Sequence, residues 1–417
     1  MFRAGRHSVV IGAICALLLS GCVCVCPPDS ELHSEMRKSA KRGVSFDFKQ
    51  AEDLPLLSPS CSWAYNWGNT QNAQAALWFD SNDMDFCPMA WNNTYNADAI
   101  RQYVQAHPKT KYLLGFNEPN LKDQCNMTPA EAAAHWGEVV AFAKELGLQL
   151  VSPAMNYGTL AGYSDPVKWL DEFFAQPSVS LDDVCAIAVH CYMSSPSAVR
   201  NYIEMFRKYG KPVWLTEFCA WDPVPGSVES QMDYMCTVLN YLEQEPLVER
   251  YAWFIPRTSS PVDKAPYMQL LTHTSPVELT DLGVLYTSFS SFDKQAWLPL
   301  ENGIGAHQYV ALSNNTIALR VSEEKTPYIQ GLQSGMWVVY QVRSTSEEPL
   351  QLTYATIASS QICVYVDDVA QAIVDVPKTA DMQAWSTLNT GVRCGKGRHT
   401  VRLEMLKGVI NLQELKN

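Results

Sequence analysis

Tyr112-Leu-Leu-Gly-Phe-Asn-Glu-Pro-Asn120 joins a short apolar run to a polar turn. The run from Tyr112 to Leu114 has the composition of a buried strand. Pro119 cannot continue a strand ladder because it lacks an N–H, so Asn117 and Glu118 are predicted at the carboxyl end of the strand. A charged side chain at that position needs partners or water. Glu118 is therefore a poor packing residue and a good candidate for chemistry.

A second stretch has the same design. In Pro212-Val-Trp-Leu-Thr-Glu-Phe218 an apolar run again ends in a glutamate, Glu217. Two carboxyl groups on two strand ends are typical of a glycoside hydrolase. In such an enzyme one carboxylic acid protonates the departing oxygen, and the other group, a carboxylate, faces the oxocarbenium ion. Retention of configuration requires the two carboxyl groups to lie about 5–5.5 Å apart. A salt-bridged glutamate at a strand end is the alternative for each residue.

Eight short apolar runs alternate with segments of helical pattern, and Thr128-Pro-Ala-Glu131 is typical of a helix start. Eight such units over about 240 residues predict an α/β fold, a TIM (β/α)8 barrel, with the active site at the carboxyl ends of the strands. A doubly wound open sheet is the alternative, although no Gly-rich dinucleotide loop supports it. The predicted strands cover residues 43–48, 62–67, 85–91, 112–118, 148–153, 185–192, 213–218 and 251–255.

The amino terminus has the layout of a secretory signal. Arg3 and Arg6 precede an apolar run that is too short to be a permanent membrane span. Leu19-Ser-Gly-Cys22 resembles the lipobox of bacterial lipoproteins, which implies acylation of Cys22 and a membrane anchor. We predict a lipoprotein signal peptide over residues 1–21, a tether over residues 22–41, and export to the outer membrane or cell surface. An ordinary signal peptide and a secreted protein are the alternative.

Composition excludes several classes of partner. A net charge of −12 argues against nucleic acid and anionic membrane surfaces, because both bind basic proteins. The eight histidines never occur at ligand spacing, and no paired Cys-x-x-Cys sets occur. We therefore expect no metal or cofactor in the catalytic region, and a monomer. The 417 residues exceed one typical core, so a smaller second domain is expected.

The barrel region is predicted over residues 42–292. After it, the pattern of alternating strands and helices ends. Short alternating runs separated by turn residues predict an all-β antiparallel sandwich over residues 293–417. Thirteen cysteines in an exported chain permit disulfides. Setting aside Cys15 and Cys22 leaves an odd number, and Cys363 with Cys394 is a candidate pair inside the last domain.

Aromatic residues cluster at the predicted strand ends. Pyranose rings have apolar faces, so exposed aromatic rings make good sugar platforms, whereas a buried core position is the alternative for each ring. Trp253, at the end of the eighth strand, is the best candidate for the subsite around the scissile bond. Trp63 and Trp214 are predicted in the core. The candidate sugar-binding aromatics are Tyr65, Trp67, Trp91, Trp221 and Trp253.

These motifs resemble the family 128 glycoside hydrolases, a group of Asl-like cell-wall endo-β-1,3-glucanases. The resemblance covers roughly residues 42–292, and its motifs lie in register along all eight predicted strands. They are Arg42-Gly-Val-Ser-Phe46, Ser62-Trp-Ala-Tyr-Asn-Trp-Gly68, Gly115-Phe-Asn-Glu-Pro-Asn120, Val189-His-Cys-Tyr192, Pro212-Val-Trp-Leu-Thr-Glu-Phe218 and Tyr251-Ala-Trp-Phe254.

The resemblance implies a retaining mechanism with Glu118 as general acid/base and Glu217 as nucleophile. The acid is expected to have a raised pKa while Glu217 is anionic. Asn117 is expected to reach the sugar 2-hydroxyl, and Tyr192 to hold the nucleophile by a hydrogen bond. His190 shares a strand face with Tyr192 and is a further candidate, with a core histidine as the alternative.

The last region resembles family 6 carbohydrate-binding modules. The similar segments include Trp337-Val-Val-Tyr340, Val366-Asp-Asp368 and residues 397–403. The resemblance implies sugar binding by Trp385 and Asn411. Such modules often hold a structural calcium, although residues 300–302 depart from the usual opening motif. A purely structural appendage is the alternative.

We therefore predict a retaining endo-β-1,3-glucanase that cleaves β-1,3-glucan through a covalent glycosyl-enzyme. Two alternatives stay open. One is a retaining glycosidase for another β-glucan or a mannan, because linkage specificity depends on loop shape. The other is a non-catalytic glycan-binding lipoprotein.

Overall fold

Strands and helices alternate through the first part of the chain, as the sequence predicts. The computed structural model describes residues 38–258, 267–313 and 317–417. The predicted signal peptide, Cys22 and nearly all of the tether therefore lie outside the described residues. The strands of this part are β1 Ser39–Ser45, β2 Cys61–Tyr65, β3 Asp85–Phe86, β4 Tyr112–Leu113, β5 Gln149–Leu150, β6 Ile187–Met193, β7 Val213–Asp222 and β8 Val248–Trp253.

Helices follow most of these strands. Thr128 caps one of them with a capping box, in which its hydroxyl accepts from the Glu131 N–H and the Glu131 carboxylate accepts from the Thr128 N–H. This confirms the predicted helix start. No helix in the described segments has the length and apolar character to cross a membrane. The helices are α1 Asp53–Leu57, α2 Ala73–Ser81, α3 Ala97–Ala106, α4 Pro129–Glu145, α5 Pro166–Phe174, α6 Pro196–Glu204, α7 Val228–Gln244 and α8 Asp281–Ser288.

The eight strands all pair in parallel. Six form one sheet in the order β3-β2-β1-β8-β7-β6, and β4 pairs with β5 in a second sheet. Single parallel bridges connect the two sheets, from Met89 to Leu114 and from Val151 to Ala186. The carboxyl ends of all eight strands therefore lie at one end of this region, as parallel pairing requires.

Two buried clusters lie on opposite sides of these strands. Side chains that alternate along the strands, including Trp63 and Trp214, form the smaller cluster, which confirms that both are core residues. The other strand face packs with the helices in the main core. Arg42 is fully buried there and donates to Glu243 Oε1 at 2.6 Å.

After α8 the chain forms two largely antiparallel sheets. One has the order β12-β13-β20-β15-β18 with β10 beside β20, and the other has the order β11-β14-β19-β16-β17 with β9 beside β14. The strands are β9 Leu298–Pro299, β10 Ile304–Gly305, β11 Ala311–Leu312, β12 Ala318–Val321, β13 Pro327–Gln333, β14 Trp337–Ser344, β15 Gln351–Ala355, β16 Ser360–Val366, β17 Val369–Val376, β18 Ser386–Asn389, β19 Gly397–Lys407 and β20 Val409–Lys416.

This C-terminal region packs against α7. The Val321 N–H donates to Asp233 Oδ1 at 2.7 Å, and the Tyr309 hydroxyl donates to Asn240 Oδ1 at 2.8 Å. The predicted Cys363–Cys394 disulfide is wrong, because both thiols are free. Cys363 lies on β16 opposite Glu404 and Ile373, whereas Cys394 lies between β18 and β19.

Candidate active site

A cleft of about 620 Å³ lies at the carboxyl ends of the parallel strands. Both predicted catalytic glutamates face it, although they arrive by different routes. Glu217 lies within β7, whereas Glu118 lies in the turn that follows β4. The residues that line the cleft are Trp67, Trp91, Asn117, Glu118, Leu121, Gln124, Asn156, Tyr192, Glu217, Trp221, Phe254 and Ile255.

Glu217 is held by three hydrogen-bond donors. Its Oε1 accepts from the Tyr65 hydroxyl at 2.7 Å and from the Trp67 indole N–H at 2.6 Å. Its Oε2 accepts from the Tyr192 hydroxyl, which confirms the predicted contact. Hydrogen bonds to an ionised acceptor are about twice as strong as neutral ones, so this arrangement fixes the position of the carboxylate.

Glu118 adopts a backbone conformation that is uncommon for a side chain with a Cβ. Its φ is 44°, in the left-handed region, and such residues concentrate at functional sites. The Glu118 N–H donates to the Ala154 carbonyl at 2.9 Å, which ties the turn to the segment after β5. Its Oε1 accepts from Asn156 Nδ2 at 3.0 Å and from His190 Nδ1 at 2.8 Å.

His190 connects the two carboxylates. Its Nδ1 also lies 3.4 Å from Glu217 Oε2, and its ring is fully buried. One oxygen of each glutamate and one ring nitrogen lie within 4.8 Å of one another. Three ligand atoms at this spacing suit a metal ion, but the donors Tyr65, Trp67 and Tyr192 already occupy the Glu217 carboxylate. The arrangement places the His190 imidazole between the two carboxyl groups.

The charges in this trio determine the pKa values. Burial alone would raise the pKa of Glu118, but the adjacent His190 and the Asn156 amide lower it below the ordinary value. Burial would likewise lower the pKa of His190, but Glu217 and Glu118 raise it above its usual value. The expectation of a raised pKa on Glu118 is therefore wrong. The prediction took into account only the charge of the second carboxylate, which raises the pKa of Glu118. The positive charge of the His190 ring between the two carboxylates reverses the direction of this shift.

The two tyrosines on Glu217 stay protonated. Burial, with the Glu217 charge as the next cause, raises the pKa of both Tyr65 and Tyr192 well above that of a free tyrosine. Both hydroxyls therefore remain donors to the carboxylate throughout the neutral range. Tyr65 is fully buried and lies beneath Glu217. The prediction that Tyr65 is an exposed sugar platform is therefore wrong.

The cleft walls contain three of the predicted tryptophans but not the fourth. Trp67, Trp91 and Trp221 line the cleft. The prediction for Trp253 is wrong, because its side chain is fully buried and its indole N–H donates to the Met268 carbonyl at 2.7 Å. Successive strand residues face opposite sides, so Phe254 faces the cleft.

The structure adds residues to the site that the sequence analysis missed. Asn156 is the most important, because it donates to Glu118. It follows the fifth predicted strand, and its position after a strand end could have identified it as a site residue. Gln124 also lines the cleft, and its Oε1 accepts from Asn117 Nδ2 at 3.2 Å. The buried Oδ1 of Asn117 has no hydrogen-bond partner among the described residues.

The two candidate sugar-binding residues of the C-terminal region differ in exposure. Trp385 is half-buried and packs edge-on against Tyr328 at 5.2 Å. The prediction for Asn411 is wrong, because the side chain is 1% exposed. Its amide donates to the Met382 carbonyl and accepts from the Gly331 N–H, so it holds the backbone of the module.

Residues 300–302, where a structural calcium was considered, contain one acidic residue, Glu301. Glu301, in the segment where a calcium ligand was considered, accepts from the backbone and hydroxyl of Thr345. The described residues of this region contain no convergent group of three acidic, His or Cys side chains.

Comparisons with known proteins agree with this geometry. Residues 43–286 match the family model described as the glycosyl hydrolase catalytic core. Two solved structures are similar to this chain. One is a GH128 (subgroup II) endo-β-1,3-glucanase from Pseudomonas viridiflava, with 37% identity, a TM-score of 0.55, and coverage of 60% of this chain and 98% of that chain. The other, from Sorangium cellulosum, has 35% identity, a TM-score of 0.53 and the same coverage.

A curated relative is more distant. Alkali-sensitive linkage protein 1 of Schizosaccharomyces pombe is 27% identical over 234 residues, which cover 53% of this chain and 39% of that protein. The chain therefore matches less than half the length of this relative. Residues 314–417 match a carbohydrate binding module of family 35. The predicted resemblance to family 6 modules is not confirmed, and the match is to family 35 instead.

Proposed function

The chain belongs to the glycosyl hydrolase catalytic core family and to the family 128 glycoside hydrolases, and on this basis we propose that it is a retaining endo-β-1,3-glucanase. One observation carries the proposal: Glu118 and Glu217 face one cleft with carboxyl oxygens within 4.8 Å of each other. That separation leaves no room for a water between the nucleophile and the sugar, so direct attack by a carboxylate is favoured. The two solved structures described above, from Pseudomonas viridiflava and Sorangium cellulosum, are endo-β-1,3-glucanases.

The first step forms a glycosyl-enzyme. Glu217 attacks the anomeric carbon while Glu118 protonates the departing glycosidic oxygen. Because the pKa of Glu118 is lowered and that of His190 is raised, the proton rests on His190 before reaction. It passes from Nδ1 to Glu118 Oε1 across 2.8 Å as the glycosidic C–O bond breaks, and His190 becomes neutral.

The second step reverses the proton movement. Glu118, now a carboxylate, removes a proton from water, and the hydroxyl attacks the anomeric carbon as the bond to Glu217 breaks. The proton returns from Glu118 to His190 Nδ1. The donors Tyr65, Trp67 and Tyr192 stabilise the Glu217 carboxylate as it leaves, because they already point at its oxygens.

The substrate is held by aromatic side chains that line the cleft and by the Asn117 amide. Trp67, Trp91 and Trp221 present apolar surface to pyranose faces. Asn117 lines the cleft beside Glu118 and binds the sugar 2-hydroxyl, a contact that strengthens in the transition state. The cleavage requires no cofactor, since His190 and Glu118 deliver the proton and Glu217 is the nucleophile.

We also propose that the eight parallel strands close into a (β/α)8 barrel and that the two later sheets form a β-sandwich. The pairing of β1 with β8 and the bridges Met89–Leu114 and Val151–Ala186 support closure. The inner cluster that contains Trp63 and Trp214 supports a filled barrel interior. The domain limits 42–292 and 293–417 are proposed with this arrangement, since α8 ends at Ser288 and β9 begins at Leu298.

The remaining proposals concern position in the cell and glucan capture. Export as a monomeric lipoprotein, acylated at Cys22, is supported by the sequence pattern alone. It is tested by the mass of the amino-terminal peptide and by cell fractionation with a Cys22→Ala control. Binding of the glucan polymer by the C-terminal region, through Trp385, is supported by the family 35 match and is tested by sedimentation with curdlan.

The catalytic proposal is tested by sugar release from laminarin and curdlan with wild type, Glu118→Gln and Glu217→Gln. Glu138→Gln, on the exposed face of α4, is the matched control. We expect oligosaccharides from wild type and the control, with the β-anomer appearing first by NMR, and at least a hundredfold loss in each catalytic variant, since each removes about 2.7 kcal/mol or more of transition-state stabilisation. Release of the α-anomer first would overturn the retaining mechanism.

Mixed-linkage glucan and mannan serve as comparison polymers. Faster release from either would assign the other-glycan alternative. Binding of laminarin oligosaccharides without release from any polymer would assign the protein to glycan capture.

A further inference from the structure

Tyr157 presents an exposed aromatic ring in the segment after β5 that also supplies the cleft residue Asn156. It directly follows Asn156, which donates to Glu118. The residue is 49% exposed, and among the described residues it is the only aromatic in the set of exposed large apolar side chains. Every other Phe, Tyr and Trp residue in the described ranges is buried or half-buried. The backbone of Tyr157 lies next to Asn156, which lines the cleft at the carboxyl ends of the parallel strands.

The ring is held in place despite its exposure. It packs against Tyr202 with centroids 5.2 Å apart, and its hydroxyl lies 3.8 Å from Met205 Sδ. Tyr202 is itself buried and donates to the Met155 carbonyl at 2.9 Å. The ring of Tyr157 is therefore supported on one side, and its other side faces solvent.

The backbone around Tyr157 is tied to the catalytic turn. Asn120, the last residue of the turn that contains Glu118, is fully buried and donates to the Asn156 carbonyl at 2.6 Å. The Asn120 carbonyl accepts from the N–H groups of Thr159 and Leu160 at 3.0 and 2.9 Å. These bonds fix the position of Tyr157 relative to the general acid.

The position of Tyr157 indicates which half of the substrate this ring would contact. Glu118 protonates the glycosidic oxygen, so the departing part of the glucan lies on its side of the cleft. Tyr157 directly follows Asn156, whose amide donates to the general acid, whereas Tyr65, Trp67 and Tyr192 donate to the nucleophile. A pyranose ring packs well on an exposed, rigid phenol, and a preorganised platform loses little entropy on binding.

We propose that Tyr157 forms a subsite for a glucose unit on the leaving-group side of the scissile bond. The same subsite receives an acceptor sugar when the glycosyl-enzyme reacts with a carbohydrate hydroxyl instead of water. In that transfer the acceptor O–H proton goes to Glu118, the new glycosidic C–O bond forms, and the ester bond to Glu217 breaks. The subsite rests on the proposed glucanase function.

The test compares two substrates on the full chain. Laminarihexaose places glucose units on both sides of the scissile bond, whereas β-laminaribiosyl fluoride has only fluoride on the leaving-group side. For Tyr157→Ala we expect kcat/KM on laminarihexaose to fall about three- to tenfold while the rate with the fluoride stays unchanged. With laminaribiose added as acceptor, the ratio of transfer product to hydrolysis product falls in the same variant.

Two variants serve as controls. Tyr157→Phe keeps the ring and retains wild-type values, whereas Leu77→Ala, which truncates an exposed side chain on α2 that is 58% exposed, changes neither substrate. Equal losses on both substrates, or no loss on laminarihexaose, would overturn the subsite. A wild-type protein that cleaves neither substrate would overturn the glucanase function, and the subsite with it. A working fluoride reaction thus separates failure of the subsite from failure of the function.

Discussion

Trp67 donates its indole N–H to Glu217 Oε1 at 2.6 Å while its ring lines the cleft. The backbone of Trp67 has a φ of 60°, in the left-handed region, as Glu118 does. The ring is held edge-on by Tyr65 and Phe254, at centroid distances of 5.5 and 5.8 Å. One side chain therefore combines a cleft wall with a hydrogen bond to the nucleophile.

Replacing Trp67 separates these two roles. Trp67→Phe keeps an aromatic wall but removes the donor, and a hydrogen bond to a charged group is worth about 1.5–3 kcal/mol. We expect kcat on laminarin to fall about 10- to 100-fold with a smaller change in KM. Trp78→Phe, on the half-buried face of α2, is the control and keeps wild-type kcat. A raised KM at unchanged kcat would show that Trp67 acts only as a wall.

The buried ion pair of His190 predicts how stability depends on pH. Its folded pKa is raised, so the stabilisation is fully present below its unfolded pKa of about 6.5. It is lost as pH rises through the folded value. Urea unfolding across this range is expected to show a wild-type free energy that declines with pH, and a His190→Asn variant that lacks this decline.

The control for this titration is His273→Asn, an exposed histidine that contacts Gln269. Its stability should follow the wild-type curve at every pH. Parallel curves for wild type and His190→Asn would mean that His190 is not protonated between the two carboxylates.

The catalytic pair is the part of the site that sequence reasoning predicts well. Glu118 and Glu217 each end an apolar run, and Pro119 marks the position where the ladder stops. Parallel pairing then brings both to one end of the sheet. Periodicity also predicts His190 and Tyr192 on one strand face, and both contact the glutamates.

Other features depend on details that a single sequence does not display. A shift of one residue decides whether Trp253 or Phe254 faces the cleft, and β7 and β8 pair with register irregularities just before that point. The sign of the Glu118 shift depends on the distance to His190. The burial of Asn411 depends on two backbone groups far away in the sequence.

The roles of the two glutamates predict opposite products with azide. In Glu118→Ala the glycosyl-enzyme still forms from an activated substrate, and azide then enters on the face where water would attack, which gives a β-glycosyl azide. In Glu217→Ala azide takes the place of the nucleophile and gives an α-glycosyl azide. Retaining geometry requires this difference, which NMR of the product measures. Exchanged products would exchange the roles of the two residues.

We expect Arg42 to stabilise the catalytic region. It is fully buried and donates to the Glu243 carboxylate, the Tyr251 hydroxyl and the Tyr286 carbonyl at 2.6, 2.9 and 2.8 Å. Arg42→Met leaves the Glu243 charge buried without its cation, so we expect a loss of about 3–5 kcal/mol in the free energy of unfolding, measured with urea. Lys325→Met, which breaks an exposed pair with Asp281, should cost less than about 1 kcal/mol.

A double variant tests the cause of that loss. If the unpaired charge is responsible, Arg42→Met combined with Glu243→Leu should recover much of the stability lost in the single variant, because replacing both members of a buried pair by apolar residues is often close to neutral. If the lost bonds of Arg42 to Tyr251 and to the Tyr286 carbonyl dominate instead, the double variant will be no more stable than Arg42→Met. The difference between the two variants therefore measures how much of the effect comes from the charge of Glu243.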